Sequence, residues 1–515
     1  MSDVNRTLLS QSPLLPPNDE EKYRYVRNRL RFVPLVSTVL AIPALWSLFQ
    51  FTRLSPVLWL YLPWIALLIV NLFVGLLTTT LPHRISLNSH KQFVDTYHPA
   101  QYPSVDVFLP SCGEPLNVLR DTYAGVSSLE WSGDVQVYVL DDADSADVAS
   151  LAESFGFHYV VRSNRGHLKK AGNLRAAFEK TRGDFILILD ADFVIRADAL
   201  HELVPYMQDE SIGIIQSPQH FDVHRTDGWL ERGAAATQEY FYRWVQPSRD
   251  AADAAICVGT NAIYRRAALV KADGFAPIEH SEDVHTGIRL AKQGYRVRYV
   301  PINIANGLCP TEITNFISQQ YRWAAGSFSL LADETFHGHK DFTLWQKLCY
   351  FAGFLYYIST SLAVWVGALP ATIMMIFFPD FIRLSNYLPL LGAFFSQLFL
   401  MPLVTAGRVD IRVMRVQTIY SFAHSRALFD SMRGQIMGWV PTGASSKTHS
   451  LSEKIIRTMR RVILRDHALY LIGLYSLVTH TGWVIALPGL ALYTLTAIVT
   501  VPILMLASSA KKRAG

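Results

Sequence analysis

The sequence predicts an α/β domain inserted between membrane-spanning helices, and three observations carry that prediction. Between residues 90 and 343, short apolar runs alternate with segments of helical character, the pattern of a mainly parallel, doubly wound sheet. On both sides of this region the chain turns strongly apolar, in runs of about the 20 residues needed to cross a bilayer. Half of the 515 residues are hydrophobic and only 17% are charged, below the share of about 25% usual in soluble domains.

The flanks read in order as follows. Residues 1–20 are polar, Pro-containing and read as disordered; with no basic start and apolar core, no cleavable signal peptide is expected. Residues 1–31 form a cytoplasmic tail that ends in a basic run, Lys22, Arg24, Arg27, Arg29 and Arg31. Residues 32–80 hold two transmembrane helices, about 32–51 and 56–80, with Arg31 and Arg84 at their outer ends. Positive residues stay on the cytoplasmic side, so both ends of the pair face the cytoplasm. Residues 344–405 read as an interfacial helix and two further crossings, 466–508 as two more, and 509–515 as a basic tail. Between them, 406–465 is rich in arginine (Arg408, Arg412, Arg415, Arg426, Arg433, Arg457) and reads as a cytoplasmic interfacial segment. Two spans before the domain and four after it leave every basic segment on one side. The expectation is a multi-pass protein of the plasma (inner) membrane with its catalytic domain in the cytoplasm and the lipid bilayer as a partner. The net charge of +5 is no nucleic-acid signature, because Lys and Arg cluster beside apolar spans. Cys112, Cys257, Cys309 and Cys349 show no metal-ligand or paired spacing and read as reduced thiols.

Within the domain, strands are expected at 105–109, 135–140, 159–162 and 185–189, and helices at 116–127, 146–154 and 170–180. The stretch FILILDADF, residues 185–193, is the focus. Side chains alternate along an extended strand, so Asp190 and Asp192 are expected together at its carboxyl end, where ligands of open α/β sheets bind. Two adjacent carboxylates repel, and a hard cation such as Mg²⁺ or Mn²⁺ relieves that repulsion. Five further motifs place polar groups where such a sheet opens: PSCGEP (110–115), VLDDAD (139–144), HLKKAGN (167–173), HSEDVHTG (280–287) and QQYRW (319–323). Taken singly each has a plain reading. Asp283 caps a helix, Arg322 and Trp323 anchor an interface, Lys169 and Lys170 belong to a solvated face, and residues 257–261 are a strand and a turn.

Taken together and in this order, DD, D-x-D, S-E-D and Q-x-x-R-W inside a domain flanked by spans resemble the processive glycosyltransferase family 2, whose members include cellulose, chitin and hyaluronan synthases. The resemblance runs from about residue 104 to 329 and implies a GT-A type nucleotide-sugar domain. It implies that Asp142 contacts uridine, that Lys170 lies near the nucleotide, and that Glu114 belongs to the nucleotide pocket. Asp190 and Asp192 position metal and diphosphate, Asp283 (beside Glu282) is the general base, and Gln319, Arg322 and Trp323 hold the diphosphate and acceptor sugar. The implied partners are a UDP-sugar donor and a growing polysaccharide, with export proteins as further expected partners; the implied reaction is inverting and processive, with UDP-glucose the leading donor. UDP-N-acetylglucosamine, GDP-mannose and a non-processive transfer to a lipid or other carrier remain open alternatives. The sequence departs from the pattern at Ser281, where Thr is commoner, and at Cys112-Gly113, where many members have Tyr-Asn. Residues 439–447, WVPTGASSK, stand where such synthases carry a gating loop, without its spacing. No C-terminal cyclic-di-GMP receptor domain is expected. Tyr356, Tyr357, Trp365 and Gln397 are candidates for a sugar-lined path through the spans.

Overall fold

The computed structural model describes residues 14–26, 30, 32–223, 227–339, 341–405, 407–435 and 446–514. The first four strands are β1 (Val105–Ser111), β2 (Val135–Asp141), β3 (His158–Val160) and β4 (Phe185–Ile188). They are followed by β5 (Phe193–Ile195), β6 (Ile212–Gln216), β7 (His220–Phe221), β8 (Ala262–Arg265), β9 (Arg296–Tyr299) and β10 (Ala305–Gly307). Seven form one sheet in the order β3-β2-β1-β4-β8-β6-β9. The β1–β2, β1–β4, β2–β3 and β6–β9 pairs are parallel, whereas β8 runs antiparallel to both β4 and β6. The sheet is thus mostly parallel, as the alternating pattern predicts, with one reversed strand at its centre. β4 is buried along its whole length, which explains its unbroken apolar run: a strand covered on both faces has no solvent face to alternate with. A second sheet, β5-β10-β7, stands beside the first.

Three crossover helices match their expected positions closely: α1 (Leu116–Ser127), α2 (Ala146–Ser154) and α3 (Lys169–Lys180). Four more shape the rest of the domain and its link to the spans: α4 (Trp229–Tyr240), α5 (Glu282–Ala291), α6 (Ile313–Leu331) and α7 (Ile411–Met432). The apolar face of α6 packs on α7 through Phe316, Ile317, Ala324, Val416, Ile419 and Ala423. Along α7, Val413, Val416, Ile419, Ala423 and Ala427 are buried, while Arg412, Arg415 and Arg426 are half-buried.

Among the described residues, six helices are long and apolar enough to cross a membrane: Val33–Thr52, Pro56–Thr79, Leu344–Phe377, Leu384–Val404, Ser450–Thr481 and Trp483–Ser508, called spans 1 to 6. The chain read as disordered before residue 20 departs from that expectation from residue 14 onwards. The backbone carbonyls of Leu15 and Pro17 accept hydrogen bonds from Asn306 and Arg196, and that of Lys22 accepts one from the Asn303 amide at 2.9 Å. Lys22 itself is buried against Asp198 and Glu202. The segment is polar in composition because it exchanges hydrogen bonds and ion pairs with the domain, a kind of order that low hydrophobicity does not reveal.

Candidate active site

β4 ends at Ile188, and the chain turns through Ala191 and Asp192 before β5. The strand alternation expected to align the two carboxylates therefore does not reach them. The physical reason is topological: β5 belongs to the second sheet, so the backbone must leave the first one between Leu189 and Phe193. A tight turn replaces the alternation. The Phe193 amide donates to the Asp190 carbonyl at 3.2 Å, and the Leu308 amide to the Asp192 carbonyl at 3.1 Å. The Asp190 amide donates to the Thr260 hydroxyl at 2.8 Å. The carboxylates still share one electrostatic environment. Burial, then the charges of Asp190 and Glu114, push Asp192 up to about 7.

Lys170, near the start of α3, extends into this cluster. Its ammonium pairs with Asp190, donates to the Gly259 carbonyl at 2.9 Å and stands 4.0 Å from Glu282. Burial works against its charge, but Asp190 and Glu282 outweigh that and hold it above the usual lysine range. Glu282 and Asp283 open α5. Ser281 precedes them in the left-handed region, φ 51°, and makes no side-chain cap. Asp283 accepts only from the adjacent Val284 amide, at 2.8 Å, so it is not the cap of its helix. Burial, then the neighbouring Glu282 carboxylate, raise its pKa well above the carboxylate range. Burial raises Glu282 too, against the pull of Lys170.

Two glycines set the spacing of this constellation. Gly259 has φ +82°, and a Cβ there would lie 2.8 Å from Asp283 Oδ2. Gly326, one turn beyond Arg322 on α6, lies directly under Ser281, so that a Cβ would collide with the serine hydroxyl. That contact brings the S-E-D turn and the Q-x-x-R-W helix together. Arg322 donates to Ser318 at 3.2 Å, and burial pulls it down to about 10, against the attraction of Glu282 and Asp190. Gln319, Arg322 and Trp323 fall at i, i+3 and i+4, one face of α6. Gln319 and Trp323 are half-buried, and their side chains make no hydrogen bond among the described residues.

On the other side of the cleft, Asp141 closes β2 and accepts from the Ala143 and Ser145 amides and from the Tyr159 hydroxyl, each at 2.8–2.9 Å. It shapes the loop. Asp142 is engaged by the Arg162 guanidinium through two hydrogen bonds of 2.6 Å. Arg162 also donates to the carbonyls of His167 and Lys169, at 2.6 and 3.1 Å. Gly172 leaves the room for this guanidinium, since a Cβ would strike both Arg162 and the His167 carbonyl. Glu114 accepts from the Cys112 amide at 2.6 Å, and burial holds it above its usual range.

Sequence reasoning singled out neither Arg162 nor Gly326, because each acts on a partner far away in the chain. Gly259 and Thr260 lie within residues 257–261, read singly as a strand and a turn, and His280 opens the HSEDVHTG motif; its Nδ1 is buried without a partner among the described residues. Of the four path candidates, Tyr356 and Tyr357 do gather with His424 and Tyr420 of α7, and Trp365 donates to Ser425 at 2.8 Å. Gln397 does not join them. It is exposed on span 4, whose neighbouring Ser396 hydrogen-bonds Ser37 of span 1 at 2.9 Å. Residues 439–445 of the candidate gating loop lie outside the described residues.

The cleft offers hard oxygen donors suited to a divalent cation. Asp190 and Asp192 are a crowded pair whose repulsion shows in the raised Asp192, and a cation held there would take its remaining oxygens from a diphosphate. Among the described residues no third His, Cys, Asp or Glu completes a metal cluster with them.

Sheet, cleft and paired acidic motifs define a glycosyltransferase domain of GT-A-like fold with apolar helices on both sides. Comparison with known proteins agrees. Residues 185–405 match the family described as glycosyl transferase family group 2. The cellulose synthase 1 catalytic subunit (UDP-forming) of Komagataeibacter xylinus is 34% identical over 260 residues, 49% of this chain and 34% of that protein. The cellulose synthase catalytic subunit (UDP-forming) of Xanthomonas axonopodis pv. citri is 30% identical over 261 residues, 50% of this chain and 36% of that protein. The match thus spans about a third of these relatives' length. In three dimensions the chain resembles the mannosyltransferase PcManGT of Pyrobaculum calidifontis, solved with GDP-Man and Mn²⁺, at a TM-score of 0.50. That likeness covers 72% of this chain and 98% of the other at 16% identity.

Proposed function

We propose that the protein is a processive, inverting β-glycosyltransferase that moves a sugar from a UDP-sugar, UDP-glucose first, to the end of a growing polysaccharide and passes the product across the membrane. The observation that carries the reading is the convergence of Asp190, Asp192, Asp283 and Arg322 on one cleft, in a chain whose curated relatives are cellulose synthases. In this reading Glu114 and the Asp142–Arg162 pair line the nucleoside side, with Lys170 beside them. Asp190 and Asp192 would hold Mg²⁺ or Mn²⁺, which when bound neutralises diphosphate charge. Arg322 binds the diphosphate oxygens and stabilises the charge that grows as UDP leaves. Asp283 accepts the proton of the acceptor hydroxyl as that oxygen attacks the anomeric carbon. Its raised pKa supports this role, because a base strong enough to matter at neutral pH needs a proton affinity above that of an ordinary carboxylate. Trp323 offers a flat apolar face and an indole N–H to the acceptor ring, and Gln319 a donor and an acceptor. With Asp283 as the base, a single displacement converts an α-linked donor to a β-linked product. Beyond the cleft, the Tyr356, Tyr357, Trp365 and His424 side chains between span 3 and α7 form the start of a path for the chain of sugars.

The test is incubation of the membrane-embedded protein with a panel of radiolabelled UDP- and GDP-sugars and Mg²⁺ or Mn²⁺, then digestion with linkage-specific glycosidases. A long β-linked polymer from UDP-glucose is expected. Addition of a single sugar, or incorporation only from a GDP-sugar, would overturn the reading.

A further inference from the structure

Three guanidinium groups gather where the catalytic domain meets the start of span 1 and the end of span 4. Arg243 pairs with the buried Glu239 at 2.5 Å, and Arg408 approaches the other oxygen of the same carboxylate at 3.5 Å. Arg24 enters from the N-terminal segment, hydrogen-bonded to His220 and 3.5 Å from Glu21. Burial, then Arg24 and Arg408, push His220 down to about 4, so it is neutral near pH 7 and adds no charge. Its other ring nitrogen is engaged by Asn306 at 2.8 Å. Burial opposes charge on Glu239, yet the three arginines together keep it ionised and below its usual range. Arg24 is itself disfavoured by burial and then by the charge of Arg408 beside it.

Arg408 thus shares one carboxylate with Arg243 and lies near enough to Arg24 to disfavour its charge, and an anion between Arg24 and Arg408 would relieve that repulsion. The position of these arginines says which kind. Val33, the first residue of span 1, packs with Trp244, Met401 and Val409 in one apolar cluster. Arg408 follows span 4 by four residues, and its side chain, 39% exposed, is the open member of the three. A guanidinium presents a fork of donors matched to phosphate oxygens, and the headgroup phosphates of a bilayer lie at this level.

We propose that Arg24 and Arg408 form a headgroup site for an anionic phospholipid, one that ties the start of span 1 and the end of span 4 to the catalytic domain. The shared chemistry is a phosphate anion, and the experiment separates its two sources. The full chain, purified in detergent with added phosphatidylglycerol, is examined by native mass spectrometry, with phosphatidylcholine and inorganic phosphate in parallel arms. Wild type is expected to retain one phosphatidylglycerol, and Arg408→Gln to hold it about tenfold more weakly, as loss of one charge-assisted contact implies. Arg412→Gln, whose guanidinium is already paired with Asp410, is expected to retain the lipid and controls for misfolding. Equal retention by Arg408→Gln, equal retention of phosphatidylcholine, or displacement of the lipid by inorganic phosphate would each overturn the assignment.

Discussion

Asp283 draws its chemistry from its surroundings. It is half-buried, faces a second carboxylate and, among the described residues, takes one hydrogen bond, from Val284. Replacing it by Asn keeps the shape and removes the proton acceptor. Sugar transfer is expected to fall by about 10²–10⁴-fold, the usual worth of a positioned base, while UDP binding measured by calorimetry stays near the wild-type value. Unchanged turnover would remove Asp283 from the base role. The pH dependence follows from the direction of its shift. A base works only when ionised, and a raised pKa moves the loss of its ionised form from the acid range towards neutrality. The wild-type rate is therefore expected to drop as pH falls below neutral, well above the value of about 4 that governs an ordinary aspartate. A rate that stays flat down to pH 5 would contradict this. Asp142 presents a different case. It and Arg162 are both nearly inaccessible, with side chains 6% and 2% exposed. Asp142→Asn leaves a buried guanidinium without its counter-charge, at a cost of about 3–5 kcal/mol. A clear fall in the midpoint of thermal unfolding is expected; an unchanged midpoint would mean that the pair is not closed in solution. The acidic residues of the site were legible in the sequence because they recur as short motifs. Arg162 was not, because nothing in its own neighbourhood distinguishes it from any arginine after a strand. Its importance arises only when β2 and β3 pair and bring it to Asp142.

Among the elements, the meeting of α5 and α6 is the contact that sets Asp283, the proposed base, relative to Arg322, the proposed diphosphate clamp. Gly326→Ala is expected to displace Ser281 and with it the whole S-E-D turn. Transfer should fall by more than tenfold, with the unfolding midpoint moved far less, because the strain falls on the half-buried S-E-D turn and not on the core between α6 and α7. A loss of stability equal to the loss of rate would argue against this division. The sheet shows where sequence patterns stop being informative. Alternating strands and helices gave the parallel strands β1 to β4 and the helices between them almost residue for residue. β8 was not foreseen as antiparallel, since four residues, Ala262–Arg265, look the same in either direction. Direction is decided by the path the chain takes from α4 into the sheet. The D-x-D turn escaped the alternation rule for a related reason: a strand's end depends on which sheet the next strand joins.

For the molecule as a whole, the apolar composition on either side of the domain was the most legible property, because length and hydropathy alone define a helix able to cross a bilayer. Which polar side chains those helices share was not, as the separation of Gln397 from Tyr356 and Tyr357 illustrates; helix neighbours are set by packing that no local pattern records. The proposed metal requirement belongs at this scale too, since it would join donor and protein. Chelation with EDTA is expected to abolish polymer formation and added Mg²⁺ or Mn²⁺ to restore it. Asp192→Asn is expected to weaken that restoration, read as a higher cation concentration for half-maximal rate. Activity that persists in EDTA would show that Lys170 and Arg322 suffice for the diphosphate.

The N-terminal segment bears on how the protein can be handled. Leu15, Pro17 and Lys22 give their backbone carbonyls to Asn306, Arg196 and Asn303, and Asn306 lies in β10, whose neighbour Leu308 holds the Asp192 carbonyl. An expression clone that starts at the first span to shed an apparently featureless leader would thus strip the cover from the small sheet. It would loosen the catalytic turn from behind, and a poorly active preparation would follow from the choice of start codon with every motif residue still in place.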